Sequence, residues 1–145
     1  MFGQGNMLTI NFVAVLVAAI VAFVLGFLFH GPLFGKVWMK LADVHPTGNE
    51  KFSDMIPQML WNILANIITA YVLAVIYSFV STSSYGNGAG VRTAIMTAVW
   101  VWFGFIVASS SMEVIWMKRK VTLWLFECIC SLIVMIAMGI VIASM

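Results

Sequence analysis

Hydrophobic positions in this chain fall into four long runs, roughly residues 9–30, 56–80, 92–116 and 121–144. From Phe12 to Phe29 not one polar side chain interrupts the first of them. A helix on the surface of a soluble domain carries an apolar stripe and a polar face, whereas a run that is apolar all round is buried or lies in lipid. About 20 such residues are what an α-helix needs to cross a bilayer. The pattern therefore predicts an all-α polytopic membrane protein, with four transmembrane helices. Short connections make successive spans antiparallel neighbours, giving one transmembrane bundle over residues 1–145.

The rhythm of an amphipathic helix surfaces clearly between the first two spans. After Gly31, Pro32 suits the first turn of a new helix. Leu33, Phe34, Val37, Trp38 and Leu41 then recur at spacings of three and four, with Lys36 and Lys40 on the other side. This predicts a short helix over residues 32–41 lying along the membrane interface, with Lys36, Trp38 and Lys40 as anchors. Residues 43–54, with Pro46, Gly48, His45 and mixed charges, read as a solvated connector.

Composition turns the pattern into a choice of solvent. The chain is 63% hydrophobic and 8% charged, against about 25% charged in soluble domains. A 145-residue soluble fold has no interior large enough for that many apolar side chains. The seven Lys and Arg are unevenly placed. Lys36, Lys40 and Lys51 fall in loop one and Lys118, Arg119 and Lys120 in loop three, while only Arg92 falls on the opposite side. Basic loops mark the cytoplasmic side, so both termini are expected outside. No basic residue precedes the first run, so it reads as a retained span rather than a signal peptide. These clusters fit anionic headgroups, and no nucleic-acid partner is expected.

Small residues recur every four positions along span one, as Ala14, Ala18, Ala22 and Gly26, and along span two, as Asn66, Ala70, Ala74 and Ser78. Such stripes let helix backbones approach closely. They fit packing of spans one and two within one chain, or a homo-oligomer interface. Gly26-Phe27 and Trp38-Met39-Lys40 reappear as Gly104-Phe105 and Trp116-Met117-Lys118 at an offset of 78, which raises a duplicated helix pair. The competing reading is two independent interfacial anchors.

Gly26, the run Gly31-Pro32-Leu33-Phe34-Gly35-Lys36 and then Trp38-Met39 resemble the signature of a family of small bacterial and archaeal membrane proteins, domain of unknown function 1761. The likeness extends to Trp102-Phe103-Gly104-Phe105, to an acid early in span four, Glu127, and to Gly139. Two positions depart from it. Phe29-His30 stands where that family usually carries Trp-Tyr, and Glu127 where it carries Asp. The resemblance implies a four-helix protein of a prokaryotic inner membrane and lends no activity.

Polar groups at membrane depth are costly and so point to sites. Span two carries Gln58, Asn62 and Asn66, span three Ser109, Ser110 and Glu113, span four Glu127 and Ser131, and His30 closes span one. At about 1.5 Å per residue, Glu127 lies about 9 Å in from the basic end, and Asn62 and Asn66 about 8 and 14 Å. All of them gather in the half of the membrane beside loops one and three. The candidate ligand or proton site is Glu127, Glu113, Asn62, Asn66 and His30, a polar pocket opening toward the cytoplasm. Two carboxylates at low dielectric do not both ionise cheaply, so one is expected to take a raised pKa unless a cation neutralises them. The plainer reading has Glu113 reaching to water, and Glu127 and His30 holding helices together through hydrogen bonds.

Catalytic signatures are absent, Cys128 and Cys130 point to opposite sides of a helix, and no enzyme activity, cofactor or metal is expected. Two classes of function fit. One is a small oligomeric transporter or channel-like protein, similar in architecture alone to the small multidrug resistance transporters, whose acid sits in the first span. The other is a membrane assembly or accessory protein that binds lipid or partner helices.

Overall fold

The computed structural model describes residues 9–83 and 88–145, and the predicted tip of loop two at residues 84–87 lies outside them. Among the described residues the chain is helical and contains no strand. Four helical stretches are long and apolar enough to cross a membrane: Phe12–Leu33, Phe52–Thr82, Val91–Trp116 and Val121–Ser144. In chain order the α-helices are α1 (Phe12–Leu28), α2 (Gly35–Ala42), α3 (Phe52–Thr82), α4 (Val91–Val101), α5 (Ala108–Trp116) and α6 (Val121–Ser144), of which all but α2, in the connection between the first two stretches, belong to the four spans. They form a ring in which α1 packs on α3 and α6, and α4 packs on α6 and α3.

Small side chains set the spacing of that ring. Ala14, Ala18 and Ala22 of α1, Ala70 and Ala74 of α3, and Ala94 and Ala98 of α4 are all buried. Leu73 and Met138 fill the space between them. The predicted stripes of spans one and two are thus used inside a single chain. Gly26, the last member of the first stripe, faces a cavity instead, with no atom within 4 Å of where a Cβ would lie. Gly139 of α6 marks a close approach of two spans, since a Cβ there would lie 3.1 Å from the carbonyl oxygen of Ala94. At the same end of the bundle, Asn11 caps α1 by accepting from the backbone N–H groups of Val13 and Ala14, and donates to the carbonyl of Met145 at 3.2 Å.

Span one does not run straight into the amphipathic helix. Its last turn, Phe29–Leu33, widens into a π-turn, and Gly31 leaves helical geometry at φ −116° and ψ −106°. Pro32 lies inside this turn rather than opening the next helix, so the helix expected from residue 32 begins at Gly35. The physical reason is that Pro has no N–H, and its ring collides with the carbonyl four residues back, a conflict that the wider turn relieves. Gly35 then passes under the turn so closely that a Cβ would lie 2.9 Å from the carbonyl oxygen of His30. The Gly-Pro-Leu-Phe-Gly string is therefore a bend whose second glycine, Gly35, leaves no room for a side chain.

Beyond it, α2 carries Lys36 and Lys40 on its exposed side. Trp38 is half-buried, its ring edge-on to His30 at 5.7 Å, and Phe34 meets Phe126 of α6 at 6.2 Å. Part of the apolar face expected to meet lipid is thus turned onto the bundle. The second Trp-Met-Lys triplet is placed differently, because Trp116 ends α5 and Met117 caps it. The two triplets share letters and not local structure, which favours independent anchors over duplication.

Candidate functional site

The main buried core, from Val15 to Ala22 on α1 with Ala70, Leu73, Ala74, Ala98, Met135 and Met138, occupies one half of the bundle. On α3 the buried side chains are Ala70, Leu73 and Ala74, while residues 52–58 and 60–65 are exposed. Between that first half of α3, the end of α1 and the start of α6 lies a cavity of about 980 Å³. Its polar lining is His30, Gln58, Asn62, Asn66, Thr69, Glu127 and Ser131. The rest is apolar and rich in aromatic and thioether groups, including Phe23, Phe27, Phe29, Met55, Met59 and Met135. Neither Lys nor Arg lines it among the described residues.

Of the predicted site residues the structure brings together Glu127, Asn62, Asn66 and His30, and leaves Glu113 outside the cavity wall. The correction for Glu113 follows from its position in the last turn of α5, on the far side of Arg119. Asn66 Nδ2 donates to Asn62 Oδ1 at 2.6 Å, an i, i+4 pair on one face of α3. His30 Nδ1–H donates to the carbonyl of Gly26 at 2.9 Å. That bond adds to the one the Gly26 carbonyl accepts from the Phe29 N–H, and the ring lies edge-on to both Trp38 and Phe126.

The two carboxylates meet a cation that the sequence analysis had assigned only to the basic turn. Lys118 takes the left-handed region at φ 53°, which folds the chain back so that Arg119 points into the bundle. Its Nη2 donates to Glu127 Oε1 at 2.7 Å and its Nη1 to Glu113 Oε2. The Arg119 backbone N–H also reaches the carbonyl of Glu113 at 3.3 Å. Of the two routes open to a pair of acids at low dielectric, this chain takes neutralisation by a cation. Two carboxylates and one guanidinium leave one formal negative charge in excess at the edge of the cavity.

Further bonds seal span three to span four beside the site. Trp102 Nε1–H donates to the Cys128 carbonyl and the Ser131 hydroxyl, both at 3.0 Å, and Trp124 Nε1–H donates to Ser110 Oγ at 2.8 Å. Trp102 opens a second π-turn, Trp102–Val107, where span three departs from regular α geometry. Its interhelical role had no sequence signal beyond the aromatic itself. Cys128 and Cys130 are buried free thiols. Among the described residues no group of His, Cys, Asp and Glu is arranged to hold a metal ion.

Helices, cavity and ion cluster together define a multi-pass membrane protein with a polar recess. The chain belongs to the family described as Protein of unknown function (DUF1761), whose model matches residues 13–143. No curated protein and no solved structure matches it.

Proposed function

We propose that this protein is a small, non-catalytic transporter or channel-like protein of the prokaryotic inner membrane, and that its working site is the recess around Glu127. Loops one and three face the cytoplasm in this reading, with both termini outside, following the placement of the basic residues. The observation that carries it is a cavity of about 980 Å³ with a carboxylate in its wall, inside a bundle otherwise packed on alanines. A helix-packing role for Glu127 alone calls for no such volume. Beyond the recess, Ala18, Ala70, Leu73 and Met138 close the bundle, so one copy in this conformation offers a vestibule rather than a through path. A complete path therefore requires a second conformation or a second copy, consistent with an oligomeric working unit.

The test is flux in liposomes carrying purified protein, with an imposed proton gradient read by an entrapped pH-sensitive dye. Wild type is expected to dissipate the gradient faster than empty liposomes, and Glu127→Gln to reduce the rate to background while remaining folded. Equal rates for wild type, variant and empty liposomes would remove the transport reading. They would favour the accessory role, for which the exposed first half of α3, with Leu60, Trp61, Leu64 and Ile68, offers a surface to partner helices or lipid.

A further inference from the structure

We infer that the recess binds a lipophilic organic cation, and that Arg119 is an internal competitor which such a ligand displaces from Glu127. This rests on the recess being the working site, and it adds the class of ligand and the means by which the carboxylate of the empty site is held.

The argument starts from charge. Glu127 is the only formally charged group in the cavity wall, and no cation lines the wall among the described residues. An anion therefore finds no cation there to offset the loss of its hydration, while a positive charge finds a carboxylate. The remaining surface selects for apolar bulk. Phe23, Phe27 and Phe29 present rings to which a cation is attracted electrostatically, and Met55, Met59 and Met135 adapt to irregular shapes. A ligand that is both bulky and positive matches all of these at once. Inorganic cations match poorly, because no second carboxylate or metal-type cluster joins Glu127 in the wall.

The role of Arg119 follows from its two partners. Through one nitrogen it holds Glu127 at 2.7 Å, and through the other it holds Glu113, with the backbone bond to Glu113 fixing the turn. When a ligand cation approaches Glu127, the guanidinium is able to let go of that carboxylate and stay with Glu113. The ligand's charge cancels the one negative charge in excess, and each acid then holds a cation of its own, so that neither is left bare at low dielectric. Arg119 thus lowers the apparent affinity and releases the ligand again when it returns.

Equilibrium binding in nanodiscs tests this with three probes of similar size: tetraphenylphosphonium, tetraphenylborate, and neutral triphenylphosphine oxide. The cation is expected to bind wild type at least about tenfold more tightly than the other two, a difference of about 1.4 kcal/mol. Glu127→Gln should erase that preference, and Arg119→Gln should tighten cation binding severalfold without changing the neutral probe. Should Arg119→Gln not yield folded protein, Arg119→Lys serves, because an ammonium does not span both carboxylates as the planar fork does. Its effect has the same direction. Equal binding of all three probes, or cation binding weakened by removing Arg119, would overturn the inference while leaving the recess a binding site. Absence of binding by every probe would count against the recess itself.

Discussion

Gly139 offers a quantitative check on the packing that defines the recess. A Cβ at this position would lie 3.1 Å from the Ala94 carbonyl oxygen and 3.4 Å from the Ala98 Cβ, where ordinary contact begins at 3.4 Å. Gly139→Ala therefore asks α4 and α6 to separate by about 0.3 Å, and the obstacle is backbone rather than a flexible side chain. Against that stands the gain from replacing Gly in a helix interior, about 1 kcal/mol. The two effects are of similar size, so the alanine variant is expected within about 1 kcal/mol of wild type. Gly139→Leu adds three further carbons to the same gap and is expected to cost about 2–3 kcal/mol by overpacking. Gly104 is the control, because a Cβ there has nothing within 4 Å, and Gly104→Leu should be neutral. The assay is unfolding in mixed micelles on titration with dodecyl sulfate, followed by circular dichroism. Equal midpoints for Gly139→Leu and Gly104→Leu would refute the close crossing of α4 and α6.

Three further outcomes are expected. Glu127→Leu should destabilise the bundle more than Glu127→Gln, by about 1–3 kcal/mol in the same titration, because Leu leaves one guanidinium nitrogen without an acceptor whereas the Gln carbonyl still accepts. Trp102→Phe keeps the ring and removes the N–H shared by Cys128 and Ser131, and should cost about 1 kcal/mol, with Trp124→Phe behaving alike. A single cysteine at Thr47, in a background lacking Cys128 and Cys130, should resist impermeant thiol reagents added outside intact cells and react once the membrane is broken. Labelling from outside would invert the topology.

The four spans were legible in the sequence because lipid tolerates no polar interruption, and runs such as residues 12–29 leave no other solvent for themselves. The hinge at Gly31 was legible too, since Gly-Pro restricts the backbone locally. Its placement was read too early, because a π-turn that absorbs Pro32 is a tertiary compromise with Phe126 and Gly35, not a propensity. Depth counted along each helix correctly grouped Asn62, Asn66, His30 and Glu127. It misjudged Glu113 because depth says nothing about which way a helix is turned. Arg119 was hidden among three consecutive basic residues. Its function depends on one backbone angle, at Lys118, that reverses the chain and aims Arg119 inward while its neighbours stay exposed. No spacing rule encodes that choice.

The central claim is that Glu127 borders a recess reached by water, and thiol chemistry at Asn66 tests it most directly. In the background without Cys128 and Cys130, Asn66→Cys would sit in the recess wall, and Ala70→Cys one turn further along α3 in the closed packing. A charged, water-soluble methanethiosulfonate reagent is expected to modify Cys at 66 rapidly, with the rate reduced by tetraphenylphosphonium, and to leave Cys at 70 untouched. Failure to modify Cys at 66, in protein whose helicity and unfolding midpoint match wild type, would contradict the account.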